Sequence, residues 1–264
     1  MTSSHLDVLG SAATVVLVLA VLAWLVSLAR RDAGVADIGW GLGFIAIAWI
    51  TWWVGDGQSD RRTLLAAMVT IWGARLALHL LWRGRGEPED VRYQAMRRRA
   101  GARFPITSLF TVFVFQGTLM YIVSLPVQLA MTPASPAVGV VAIVGVVIWG
   151  VGLFFETVSD AQLARFRADP ANAGAVLDWG LWRYTRHPNY FGDACVWWGL
   201  YLVASETGDA RWAIVSPILM TFLLLRVSGV ALLERGLRTR RAGYSDYVER
   251  TSAFLPRPPK GSPS

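Results

Sequence analysis

The sequence predicts an all-α, polytopic membrane protein of about seven transmembrane helices, with the N-terminus outside and the C-terminus cytoplasmic. Three observations predict it. Of 264 residues, 54% are hydrophobic and only 16% are charged, against roughly 25% charged in an ordinary soluble domain. Apolar runs on the order of 20 residues, long enough to cross a bilayer, recur along the whole chain and leave no stretch for a soluble domain. The basic residues also alternate by loop. Twenty of the twenty-five fall on one side of the drawn topology and three (Arg61, Arg62 and Arg211) on the other, with Arg75 and Arg226 inside spans. The positive-inside rule makes the basic side cytoplasmic.

The spans read, in order, as 6–28, 36–54, 62–82, 106–130, 137–157, 190–205 and 211–232. The first has no positive n-region and no small-residue cleavage site before its apolar run, so it reads as a retained span. Pro126 kinks or ends the fourth, and residues 132–136 form a short outer connection. The sixth is short and holds Asp193 and Gly199, which suits a helix lining a cavity. Residues 1–255 form a single transmembrane domain, and the Pro-rich 256–264 a disordered tail.

Composition also excludes classes of function. The net charge of +7 suggests nucleic acid, but the basic residues form no continuous solvated face and there is no soluble module to carry one. The single cysteine, Cys195, excludes an internal disulfide and has no partners at metal-ligand spacing, so no metal site is expected.

Several polar residues then need a reason. Arg75, His79 and Arg83 recur every four residues along one face of the third span, and Asp37 opens the second at the same depth, able to pair with either. Gln116 lies mid-span in the fourth, where an amide must find a partner or line a pocket. Glu156 and Asp160 lie one turn apart at the mouth of the fifth, with Arg167 further along. The loop after the third span sets Arg83 and Arg85 among glycines, and guanidinium forks suit phosphate oxygens. Anionic lipid attracts the same residues.

The densest polar segment is Gly180–Asp193, which supplies Arg183, Tyr184, Arg186, His187, Asn189, Tyr190 and Asp193. The His187-Pro188 step cannot easily continue a helix, so Asn189 and Tyr190 sit near the start of the sixth span. A helix N-terminus favours an anionic ligand. No glycine-rich dinucleotide fingerprint is present, so any nucleotide must be held by loops and helix ends.

At these residues the chain resembles the steroid 5-alpha-reductase-like membrane superfamily, in its uncharacterised bacterial branch, which implies a multi-pass protein of the bacterial inner membrane. Ser159-Asp160 and Asn189-Tyr190 are similar to pairs that contact NADPH there. The same register puts Glu156, Arg167 and Asp193 on family positions, as it does Arg83-Gly84-Arg85 and Asp246-Tyr247, so that Tyr247 joins the cofactor set. The resemblance implies an NADPH-dependent oxidoreductase acting on the CH–CH group of a lipophilic enone. NADPH would lie between the loops after the third and fifth spans and the tail, and the substrate would enter from the bilayer among the second, third and fourth spans. The family's carboxylate persists as Asp37. Its third-span tyrosine falls on Ile71, so either His79 or Tyr93 replaces it or the reaction differs. Arg186-His187-Pro188-x-Tyr190-x-Gly192, followed by Glu234, is also similar to isoprenylcysteine carboxyl methyltransferases, which implies S-adenosylmethionine instead. A non-enzymatic membrane protein is the third alternative.

Overall fold

The computed structural model describes residues 4–55, 60–131, 137–227, 234 and 243–260. Most of those residues are helical, with no strand among them, and six helical segments are long and apolar enough to cross a membrane. The predicted sixth span folds as a helix that is not one of the six. This is a multi-pass membrane protein. The chain packs as two compact units, residues 1–142 with 203–216 and residues 143–202 with 217–264.

In the first unit, α1 (His5–Arg30) begins at a capping box. Ser4 accepts the Asp7 N–H while the Asp7 carboxylate accepts the Ser4 N–H, satisfying donors that a helix start leaves open. It ends where Arg31 turns left-handed (φ 54°) and folds its N–H back onto the Leu28 carbonyl. The hairpin of α2 (Val35–Val54) and α3 (Asp60–Arg83) closes on glycines. A Cβ at Gly41 would collide with the Gly73 carbonyl, so only glycine permits that backbone approach. Phe44, Ile47, Trp72, Leu65 and Val69 fill its core.

Arg61 and Arg62 do not serve as outer-loop charges. Both lie in the first turn of α3 and are buried. Arg62 bonds the Trp52 and Gly55 carbonyls, and Arg61 bonds the Ala137 carbonyl and Glu206. Burial alone would raise the Glu206 carboxyl, but the Gly139 and Ala142 N–H groups and the Arg61 charge hold it below its ordinary range.

After α3, the short α4 (Val91–Ala100) is capped by Asp90, whose side chain accepts the Arg92 N–H at 2.8 Å. Gly101 (φ 55°) breaks it from the next segment. That fourth span is composite: α5 (Phe104–Ser108), a π-helical stretch Leu109–Val114, α6 (Phe115–Val123) and α7 (Leu125–Leu129). The break at Ser124 and Pro126 is where the ring forbids a continuous helix.

In the second unit, α8 (Val140–Ala168) extends eleven residues past the predicted span end, because its polar end through Glu156 and Arg167 stays helical. α9 (Pro188–Ser205) starts on the proline, which fits a first helical position where no N–H is needed. The predicted seventh span comprises a 3-10 stretch Gly208–Ile214, which belongs to the first unit, α10 (Val215–Phe222) and a π-helical stretch Leu223–Val227; residues 228–232 lie outside the described residues. The short α11 (Tyr244–Arg250) follows. The end beyond Pro256, expected to be disordered, is bonded as far as Lys260: the Arg257 N–H donates to the Tyr184 carbonyl and the Lys260 N–H to that of Arg250.

Candidate functional site

In the first unit a polar chain crosses an apolar interior. Asp37, half-buried in the first turn of α2, accepts a 2.6 Å hydrogen bond from the Tyr93 hydroxyl. The Gln116 amide donates to that hydroxyl at 3.0 Å, and the Trp40 indole donates to the Gln116 carbonyl at 2.9 Å. Arg92 reaches the other Asp37 oxygen at 3.1 Å while also holding Asp90. Three separate helical segments therefore converge on one phenol. Tyr93 is 5% exposed, so its hydroxyl has few competitors for its proton. Trp40 and Gln116 also line a cleft of about 40 Å³, walled mainly by Val16, Ala20, Ala36 and Phe113. A site of that size admits only a small group at its polar end.

Tyr93 and His79, both expected as catalytic candidates, lie in different surroundings. Tyr93 is the one bonded to Asp37, whereas His79 lies beside Trp82 on α3, ring centroids 6.4 Å apart. Asp37 pairs with Arg92 and Tyr93. Arg83, the last residue of α3, and Arg85, in the loop before α4, are exposed. In that loop Glu89 accepts the Ala33 N–H and two bonds from Arg97; burial would raise its carboxyl, but the Arg97 bonds outweigh it and lower it.

The second unit assembles most of the polar segment. Asn189, at the start of α9, donates to Asp160 of α8 at 3.4 Å, and both are half-buried. Glu156 is buried one turn before Asp160, against a glycine: a Cβ at Gly192 would lie 2.8 Å from the Glu156 nitrogen. His187 and Tyr190 stack with centroids 5.5 Å apart and planes 6° from parallel. Arg183, Tyr184 and Arg167 are exposed, and Asp193 is half-buried.

Arg186, in contrast, is 8% exposed and directed into the protein. It donates to Glu234 at 2.8 Å and to the Val248 and Thr251 carbonyls. His187 meets the same Glu234 oxygen at 3.2 Å. Burial would raise the Glu234 carboxyl, but the bonds from His187 and Arg186 and the guanidinium charge hold it at about 2. Tyr247 is buried, its hydroxyl donating to the Trp182 carbonyl, and burial pushes its pKa up. Arg186 and Tyr247 thus tie the C-terminal segment to the polar loop.

Sequence reasoning did not single out Arg92 or Trp40, and it named Glu234 only as part of the methyltransferase-like pattern, without its bonds to Arg186 and His187. Glu234 had a signal, since it follows the Arg-His-Pro-x-Tyr run that it pairs with. Trp40 had none. Among the described residues no group of acidic, His and Cys side chains could hold a metal ion.

No solved structure matches the chain significantly. It is similar to an uncharacterized protein of the fission yeast Schizosaccharomyces pombe, 23% identical over 89% of this chain and 75% of that protein. The family described as "Protein of unknown function (DUF1295)" matches residues 23–251, across both polar clusters, and the chain belongs to that family.

Proposed function

We propose that this protein is an NADPH-dependent reductase of a lipophilic enone. The observation that carries the reading is the Tyr93 hydroxyl, held by Asp37 and Gln116 next to an apolar cleft inside a membrane protein. The missing third-span tyrosine is then replaced by a tyrosine from a different helix, bonded to the equivalent carboxylate.

The residues of the second unit fit a nucleotide. Asp160 with Asn189 supplies a half-buried carboxylate and amide suited to ribose hydroxyls, and exposed Arg183 and Arg167 supply guanidinium forks suited to phosphate. Arg186 has spent donors on Glu234 and two carbonyls, so in this reading it shapes the loop while its neighbours meet the ligand. NADPH, when bound, supplies a hydride. The chain's own part is acid catalysis: a substrate carbonyl reaching Tyr93 takes a hydrogen bond, charge grows on that oxygen, and the phenol proton follows. A proton from solvent returns to Tyr93 by way of Asp37, and the Gln116 amide steadies the developing phenolate.

The reading also includes orientation, with a bacterial inner-membrane protein of seven spans and a cytoplasmic C-terminus. A fluorescent reporter that matures only in the cytoplasm, fused after Ser264, should be bright; a dark fusion alongside an active periplasmic reporter rejects this orientation.

Ligand choice is tested by melting the purified protein with NADPH, NADH and S-adenosylmethionine in parallel, since a ligand of the native state raises the melting temperature by mass action. NADPH should stabilise, and Asn189→Ala should reduce the shift. A shift with S-adenosylmethionine alone would replace the reductase with a methyltransferase, a reading supported by the Glu234 contacts to Arg186 and His187. No shift with any ligand would leave a non-enzymatic membrane protein.

A further inference from the structure

α4 divides its arginines sharply. Arg97 turns inward, bonded to Glu89 at 2.8 and 3.0 Å, to the Arg31 carbonyl at 3.3 Å, and lying 4.2 Å over the Phe104 ring. Arg98, Arg99 and Arg103 are exposed. Among the described residues no salt bridge reaches them; Arg98 meets only the Gln94 amide oxygen, at 3.5 Å. The chain then enters the fourth span through Ile106 and Phe110, 68% and 61% exposed, which are membrane-facing side chains. Three unneutralised guanidinium groups therefore lie next to an apolar, lipid-contacting surface. The same short helix carries Tyr93, buried, and Arg92 toward Asp37. With Gly101 (φ 55°) breaking its C-terminal end, α4 is not a rigid extension of the span.

We infer that Arg98, Arg99 and Arg103 form a binding site for anionic phospholipid headgroups, and that a bound headgroup clamps α4 so that Tyr93 stays on Asp37. Guanidinium forks bind phosphate oxygens bidentately, and the negative charge of a shared phosphate offsets the repulsion between them, while the adjoining apolar side chains take the acyl chains. Zwitterionic lipid offers no net charge to the site. The attraction is worth roughly fivefold in association per arginine, so on the order of a hundredfold for three, and salt screens it.

The test needs neither cofactor nor substrate, so it stands or falls separately from the reductase reading. The full-length protein is placed in nanodiscs of phosphatidylcholine with or without phosphatidylglycerol, and amide hydrogen exchange is followed over residues 91–100. Exchange should slow with phosphatidylglycerol. The triple variant Arg98→Gln, Arg99→Gln, Arg103→Gln should lose that slowing, and the charge-matched Arg30→Gln, Arg165→Gln, Arg257→Gln should keep it. Equal exchange in both lipids overturns the inference, as does a triple variant that retains full protection. Inorganic phosphate reproducing the protection in phosphatidylcholine also overturns it, because the site would then select a free anion. Should the triple variant not fold, the unmodified protein decides: protection by phosphatidylglycerol that survives high salt rejects an electrostatic headgroup site.

Discussion

The Tyr93 hydroxyl has one proton and two neighbours that treat it differently. Asp37 accepts it and Gln116 donates to its oxygen, so the phenol is aligned to pass a proton along a fixed line. Tyr93→Phe keeps the ring and removes only that proton. Turnover of an enone should fall by about 10²–10⁴-fold, while the melting shift given by NADPH stays unchanged. A Tyr93→Phe protein of full activity would remove the residue from the chemistry. Asp37→Asn should also slow turnover, since an amide cannot return a proton, and retention of full activity would leave Tyr93 without its proposed proton source. Asp37 was legible in the sequence as a carboxylate at a span entrance. Tyr93 was named beside His79 as a replacement for the family tyrosine, but its bond to Asp37 was not legible, because the two lie 56 residues apart and Tyr93 sits on a helix too polar to be drawn as a span.

Helix contacts depend on where backbones must touch. On α8 and α9, a Cβ at Gly152 would lie 2.5 Å from the Gly192 carbonyl oxygen and 2.7 Å from the Val196 nitrogen, both backbone atoms that cannot swing aside. Gly150, two residues earlier on the same helix, would meet nothing within 4 Å. Gly152→Ala should therefore destabilise by about 1–3 kcal/mol through overpacking, whereas Gly150→Ala should be neutral or gain up to about 1 kcal/mol of helix propensity. Thermal melting of both variants in one detergent checks this, and equal melting temperatures would deny the close contact. Both positions are glycines in an apolar run, so sequence reading cannot rank them. The start of α9 at Pro188 and the break at Pro126 were legible, because the proline ring restricts backbone geometry wherever it occurs.

Across the molecule, acid should act through carboxyls held below their ordinary range: Glu89, Asp90, Glu206 and Glu234. A carboxyl whose pKa is lowered by folding adds stability above its unfolded value and loses it as pH falls through its folded value. For Glu234 that window runs from 4.5 down to about 2. Protonation there removes the charge facing buried Arg186, so the C-terminal segment should loosen first. The melting temperature should fall across this window, and Glu234→Gln, already lowered at neutral pH, should show a shallower fall. Parallel curves for the two proteins would show that Glu234 has no part in acid stability.

The sequence by itself determined that the chain is helical, crosses a membrane several times, and concentrates polar side chains around Asp37, Asp160 and Gly180–Asp193, because apolar length, proline and charge are local properties. The pairing of those groups was decided only by tertiary structure. Nothing local distinguishes Arg186, turned onto Glu234 and the C-terminal carbonyls, from exposed Arg183 three residues away, or Arg97 from Arg98. Nor does it place the Tyr93 hydroxyl on Asp37. Each distinction depends on which distant backbone or carboxylate the fold brings within hydrogen-bonding reach.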